Sequence, residues 1–164
     1  MFHVVLVEPE IPQNAGNIAR TCAATGCVLH LIKPLGFEIS DKYLKRAGLD
    51  YWHLVKVELH ENMEEALLGV PEEKLHFFTT KSPRVYSEAN FREGDYLVFG
   101  KETKGLPDEL LLAHPAACVR IPMREEARSL NLSNSVAIAV YEGLRQNGFG
   151  ALSTRDAEHR LDLS

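Results

Sequence analysis

Six short apolar runs, each cut off by glycine, proline or a polar stretch, alternate with segments of helical spacing. This alternation limits the fold more than any other feature of the chain. The runs are Val4–Val7, Val28–Ile32, Leu54–Leu59, Leu75–Thr79, Tyr96–Phe99 and Cys118–Ile121. Their brevity and their branched or aromatic side chains fit buried strands. Between them, Asn14–Thr25 carries Ile18, Ala19, Cys22 and Ala23 on one helical face, with Gly26 placed to cap its end. Further helices are expected over Glu61–Leu68, from Pro107 to about Ala113, and over Leu132–Gln146. Such alternation predicts an α/β fold, a parallel sheet with helices on both faces. A chain of 164 residues holds one such domain. We assign it residues 1–152 and expect residues 153–164, polar and patternless, to form a disordered tail.

Composition narrows the setting. Apolar residues make up 45% and charged residues 25%, as in an ordinary globular protein. The longest apolar stretch, Val136–Tyr141, falls far short of the roughly 20 residues that cross a bilayer. The opening Met-Phe-His-Val-Val-Leu-Val-Glu lacks the basic start of a secretory signal. Cys22, Cys27 and Cys118 are odd in number and show no CxxC spacing, and the histidines show no ligand spacing. A reducing, cytoplasmic setting without a metal site is therefore expected. The net charge of −5 is unusual for a nucleic-acid binder. A local patch, however, and not the total charge, is what attracts phosphate. Bases gather in Lys42, Lys45 and Arg46, in Lys81 and Arg84, and in Lys101 and Lys104.

Ligand sites in open parallel sheets lie at the carboxyl ends of strands. Three polar segments of this chain follow strands. The first, Pro12–Arg20, leads a loop with Asn14, Gly16 and Asn17 into a helix, presenting backbone N–H groups and the positive helix end to an anion. Arg20 lies further along, able to fork onto a phosphate. A capping asparagine, a packing glycine and a surface arginine would explain the same residues. The second, Gly100–Pro107, sets two glycines around charged residues, which lets a ligand approach the backbone, or simply makes a strand-to-helix turn. It is not a Walker A loop. The third joins Ile121-Pro122-Met123 to Ser129, Asn131, Ser133, Asn134 and Ser135, more polar groups than one helix cap needs. Trp52 with Tyr51 offers a stacking platform or an ordinary piece of core. No HExxH motif and no G-x-S-x-G elbow is present.

Taken in order, the three segments resemble the motifs of the SPOUT-class RNA 2′-O-methyltransferases. Asn14-x-Gly16-Asn17-x-x-Arg20 is similar to the first motif. Phe99-Gly100-x-Glu102-x-x-Gly105-Leu-Pro107 is similar to the second. Ile121-Pro-Met123 with Ser129-Leu-Asn131-Leu-Ser133-Asn134 is similar to the third. The resemblance covers roughly residues 1–150. Glu8-Pro-Glu-Ile-Pro and Arg46-Ala-Gly-Leu-Asp-Tyr51, in a compact chain without an added RNA-binding domain, bring it nearest the TrmL (YibK) type. The resemblance implies a C-terminal deep trefoil knot, a homodimer, and S-adenosylmethionine as methyl donor with no metal. It also implies transfer to the ribose 2′-hydroxyl of the wobble nucleotide, cytidine or modified uridine, in leucine tRNA.

Carried over, the cofactor contacts would be Phe78, Thr79, Gly100, Glu102, Ile121, Met123, Ser129 and Leu130. The catalytic set would be Arg20 with Asn14, Glu102, Asn131 and Ser133. RNA contacts are expected from Lys42, Lys45, Arg46, Lys81 and Arg84, doubled by dimerisation. The family assigns deprotonation to the arginine. A guanidinium, with pKa above about 12, is a poor base, so Arg20 is expected to position phosphate and stabilise oxyanion character. Two other readings remain at this point: the same chemistry on ribosomal RNA or at another tRNA position, and a non-catalytic nucleotide- or RNA-binding module.

Overall fold

The computed structural model describes residues 1–39, 52–150 and 152–153. Lys42, Lys45, Arg46 and Tyr51 lie outside the described residues, as does nearly all of the expected tail. The elements run β1 (His3–Val7), α1 (Pro12–Thr25), β2 (Val28–Ile32), β3 (Val57–His60), α2 (Met63–Ala66), β4 (Leu75–Phe78), β5 (Tyr96–Phe99), α3 (Asp108–Ala113), β6 (Cys118–Val119) and α4 (Leu132–Gln146).

Most departures from the sequence reading occur at element ends. The run expected as a strand from Leu54 is a 3₁₀ turn over Trp52–Leu54 followed by β3. Pairing with β2 begins only where Leu29 meets Val57, and Leu54 is left exposed. The expected helix over Glu61–Leu68 shrinks to one turn. Asn62 caps its start by accepting from the Glu65 N–H at 2.8 Å, and Gly69 follows with a left-handed φ of 75°. Strand β6 ends at Val119 because Arg120 leaves the ladder for another partner. Its N–H donates to the Arg84 carbonyl, and its own carbonyl accepts from the Tyr86 N–H, both at 2.8 Å. Helix α1 starts at Pro12, two residues earlier than read, since proline needs no N–H partner in a first turn. Pro107 caps α3 from outside it. Gly26 ends α1 in the left-handed region, as expected.

All six strands are parallel, in the order β3-β2-β1-β5-β4-β6. Alternate residues feed two apolar layers, as the two-residue strand period requires. Val4, Leu6, Leu29, Leu31, Leu97 and Phe99 pack with Ile18, Ala19 and Cys22 of α1 and Val136, Ala139 and Val140 of α4. Val5, Val7, Ile32, Phe77 and Val98 pack on the other side with Ala66 of α2 and Leu111 of α3. At about 1.5–3 kcal/mol for each large apolar side chain, these layers hold the sheet without staples. The three cysteines are buried, unpaired thiols. Among the described residues, no helix is long and apolar enough to cross a membrane.

The strand order decides where a ligand can sit. From β1 the sheet grows one way through β2 and β3, and the other way through β5, β4 and β6. The connections after β1 and β5 therefore part to opposite sides and leave a crevice between their carboxyl ends.

Candidate cofactor cleft and active site

The loops after β1 and β5 are clamped together across this crevice. The Glu102 carboxylate accepts from the Glu10 N–H at 2.8 Å, the Ile11 N–H at 3.0 Å and the Asn14 amide at 3.1 Å. Helix α1 has no side-chain cap of its own, so Glu102, distant in sequence, supplies the negative charge that a helix start favours. In return, Glu10 accepts from the Thr103 N–H at 3.1 Å and from its hydroxyl at 2.9 Å. Glu8 pairs with Lys101 at 2.5 Å, and that carboxylate pushes the Lys101 pKa up.

The third polar segment joins the same network. Asn131 caps α4, its Oδ1 accepting from the N–H groups of Ser133 at 2.9 Å and Asn134 at 3.2 Å and from the Ser133 hydroxyl at 2.6 Å. Its amide then donates to Asn14 Oδ1 at 3.0 Å. Both amide orientations follow from these partners. An ionised carboxylate only accepts, so Asn14 must turn nitrogen toward Glu102, and helix N–H groups only donate, so Asn131 must turn oxygen toward them. The chain Ser133–Asn131–Asn14–Glu102 thus links the starts of α1 and α4 to the β5 loop, with Asn14 and Ser133 buried.

Burial pushes the Glu102 carboxyl up, but the N–H groups of Glu10, Asn14, Glu102 itself and Ile11 together outweigh it and hold the group below the ordinary carboxylate value. A lowered folded pKa gives stability that is complete above the ordinary value of 4.5 and lost as the pH falls through the folded value. Thermal midpoints measured between about pH 6 and pH 3 should therefore fall less steeply in Glu102→Gln than in the parent protein. Equal slopes would show that this carboxylate takes no part in acid unfolding.

Beside the network lies a cleft of about 560 Å³. All eight residues expected to hold the cofactor line it: Phe78 and Thr79 at the end of β4, Gly100 and Glu102 after β5, and Ile121, Met123, Ser129 and Leu130 after β6. Asn14 and Asn131 line it as well. Sequence reasoning missed Thr80 and Arg128 in its wall; both flank residues it did name. Gly105, at φ 69°, turns the loop back so that its N–H donates to the Lys101 carbonyl at 2.8 Å. Gly100 packs directly on that returning strand. A Cβ there would lie 2.0 Å from the Gly105 carbonyl carbon and 2.2 Å from the Leu106 nitrogen.

Arg20 does not join this cleft. It lines a second one of about 320 Å³ between α1 and α4, with Asn17, Thr21, Ala24, Ser133, Asn134, Ala137 and Tyr141. Ser133 therefore faces the second cleft while bonding into the network of the first. Of the expected RNA contacts, Lys81 lines the first cleft and pairs with Asp108. Arg84 donates to the Ala116 carbonyl at 3.0 Å and the Glu88 carbonyl at 3.1 Å, a fold-holding arrangement that its sequence neighbours did not reveal.

A parallel sheet whose switch-point loops border a cleft, lined by backbone, small polar groups, apolar side chains and the charged Lys81, Lys101, Glu102, Lys104 and Arg128, defines an α/β protein with a candidate small-ligand site at that point. The chain belongs to the SpoU rRNA Methylase family, whose model matches residues 1–141. It is 52% identical over 150 residues to the tRNA (cytidine(34)-2'-O)-methyltransferase of Saccharophagus degradans, covering 91% of this chain and 97% of that one. It is 49% identical over 159 residues to the protein of the same name from Yersinia pestis, covering 93% and 98%. A solved structure described as "Structural insights into the 2-OH methylation of C/U34 on tRNA" shares 50% identity over 90% of this chain and 97% of that one, with a TM-score of 0.84. An AdoMet-bound rRNA methyltransferase from Sinorhizobium meliloti shares 26% identity over 88% of this chain and 56% of that one, with a TM-score of 0.74.

Proposed function

We propose that this protein transfers a methyl group from S-adenosylmethionine to the ribose 2′-hydroxyl of the wobble nucleotide, position 34, in leucine tRNAs, acting in the cytoplasm as a homodimer. The observation that carries the reading is the convergence of the three motif segments on one cleft in a chain about half identical, over nearly its whole length, to enzymes named for that position. The family's name mentions ribosomal RNA, but the relatives matched end to end are named for tRNA.

The donor set suits the cofactor. Phe78, Ile121 and Leu130 offer apolar walls to an adenine ring, and the turns after β5 and β6 bring backbone groups to the cleft. S-adenosylmethionine supplies a sulfonium methyl already activated for displacement, so the reaction calls for no metal. What the protein must add is alignment of the ribose oxygen with the C–S bond and help in removing the hydroxyl proton. In this reading Asn14 and Asn131, locked by Glu102 and by the α4 cap, hold the rim of the cleft in one geometry. Arg20 grips an RNA phosphate and stabilises the developing alkoxide. Lys81 and Arg84, with Lys42, Lys45 and Arg46, attract the anticodon stem-loop, and binding weakens with salt.

Arg20 opens onto a cleft other than the cofactor's, which supports the dimer. A second copy laid across α1 and α4 would bring its own Arg20 toward this chain's cofactor cleft, and the exposed Ile138 and Tyr141 on α4 would give the contact an apolar centre. The knot is likewise our inference. Its support is that α4 starts on Asn14 and ends on the β4–β5 connection. There Gln146 donates to the Ala89 carbonyl and accepts from the Phe91 N–H, and Asn147 donates to the Phe91 carbonyl.

The test is methyl transfer from labelled S-adenosylmethionine to tRNA and, separately, ribosomal RNA, both taken from cells lacking the enzyme, followed by nucleoside mass spectrometry. A 2′-O-methylated pyrimidine at position 34 of leucine tRNA is expected. Label confined to ribosomal RNA would overturn the substrate, and no label in either RNA despite cofactor binding would favour a binding-only protein.

A further inference from the structure

Away from both clefts, three histidines from three strands meet on the sheet face that carries Val5 and Ile32. His3 on β1 approaches His30 on β2, Nδ1 to Nε2, at 2.8 Å. The other nitrogen of His30, Nδ1, lies 3.0 Å from His60 Nε2 on β3. Glu58 Oε2 completes a triangle with these last two atoms, 3.4 Å from His30 Nδ1 and 4.0 Å from His60 Nε2. No spacing in the sequence announces the group, because β2 and β3 bring it together through their register, His30 beside Glu58 and Ile32 beside His60.

We infer that His30, Glu58 and His60 form a binding site for a divalent transition-metal ion, zinc(II) by donor set, with a fourth position open to water. A tetrahedral ion about 2.0–2.2 Å from each nitrogen and oxygen ligand sets those ligands roughly 3.3 Å apart. The observed sides of 3.0, 3.4 and 4.0 Å bracket that value. A hydrogen bond joins the two imidazole nitrogens. Between two neutral imidazoles there is one hydrogen, and Glu58 Oε2 brings a third set of lone pairs to it. One cation at the centre satisfies all three.

The surroundings complete the case. With His30 Nδ1 on the metal, its Nε2 carries hydrogen and donates to His3 Nδ1, and His3 is itself held flat against the Tyr96 ring with centroids 4.2 Å apart. Such outer partners fix the ring and tautomer of metal-bound histidines. Glu65 Oε1 stands 3.9 Å from the far nitrogen of His60, and its other oxygen accepts from the Glu61 N–H at 2.9 Å. Glu58 and Glu65 together balance a dipositive ion. The opposing charge beside Glu58 is Lys56, 2.6 Å from Glu58 Oε1 on a largely exposed side chain. His60 and Glu58 reach solvent, so an ion has a path in. Bound there, it would clip edge strand β3 to β2.

The experiment is zinc titration of the full-length, chelator-stripped protein, followed by thermal melting and by metal analysis after equilibrium dialysis. One equivalent per chain and a raised melting temperature are expected. Both should be lost in His60→Ala, weakened at least about tenfold in Glu58→Gln, and retained in His114→Ala, a histidine elsewhere on the molecule. Cobalt(II) should give the intense visible bands of a four-coordinate site in the parent protein and in His114→Ala, and not in His60→Ala. The inference fails if no stoichiometric metal binds, or if His60→Ala binds it as tightly as the parent.

Discussion

Arg20→Ala is expected to lower the turnover number for wobble methylation by about 10²- to 10³-fold, the usual cost of removing one group that stabilises developing negative charge. The dissociation constant for S-adenosylmethionine should stay within about twofold, because Arg20 lines the cleft between α1 and α4 and not the one proposed for the cofactor. Single-turnover kinetics with isotope-labelled donor, beside calorimetric titration of the donor alone, separates the two quantities. Lost cofactor affinity would place Arg20 in the wrong role. Arg20→Lys should recover little, since an ammonium cannot fork onto phosphate or an oxyanion as a guanidinium does.

Gly100→Ala should be strongly destabilising, with the closest main-chain clash among the glycines whose surroundings are described. The added carbon would meet the Gly105 carbonyl carbon at 2.0 Å, the Leu106 nitrogen at 2.2 Å and the Gly105 oxygen at 2.4 Å. These are main-chain atoms, so no side chain can rotate away, and the loop that presents Glu102 must move as a whole. A cost of at least about 3 kcal/mol is expected, at the severe end for overpacking. That corresponds to a fall of roughly 6–12 °C in melting temperature for a domain of this size, with cofactor binding lost in whatever remains folded. Gly105→Ala makes the contrast. Nothing lies within 4 Å of its added carbon, and only the left-handed φ of 69° opposes it, at about 1–2 kcal/mol. Equal destabilisation of the two variants would show that the close approach at Gly100 is relieved more easily than its distances imply.

The contrast between these two glycines shows what was legible in the chain. Both stood out as a pair around charged residues, and the strand-to-helix turn read there is present, with Gly105 at φ 69°. That Gly100 packs against the returning main chain of its own loop depends on how tightly the loop closes, which no residue pattern states. The polar residues of the three segments were likewise recognisable by type and position after strands. Their connection was not. Glu102 was a member of a charged loop until the crevice placed it against the N–H groups of Glu10 and Ile11, ninety-odd residues earlier in the chain. Asn14 and Arg20 shared one motif, yet six residues of helix carry the chain about 9 Å along its axis and around to another side, so they open onto different clefts. Arg84 and Lys81 looked alike as surface cations, and only Arg84 proved tied to two main-chain carbonyls.

By itself the sequence determined the class of fold, the existence and approximate bounds of the six strands and the long helices, and the segments from which a site could be made. Those properties follow from side-chain periodicity and from glycine, proline and asparagine chemistry, which act over a few neighbouring residues. Tertiary structure alone decided the strand order that opens the crevice between β1 and β5, the clamp of Glu8, Glu10 and Glu102, the separation of Arg20 from the cofactor cleft, and the meeting of His30, Glu58 and His60. Each of these depends on which distant strands become neighbours and in what register. That choice is made by the burial of two whole apolar layers at once, and no local stretch of the chain carries it.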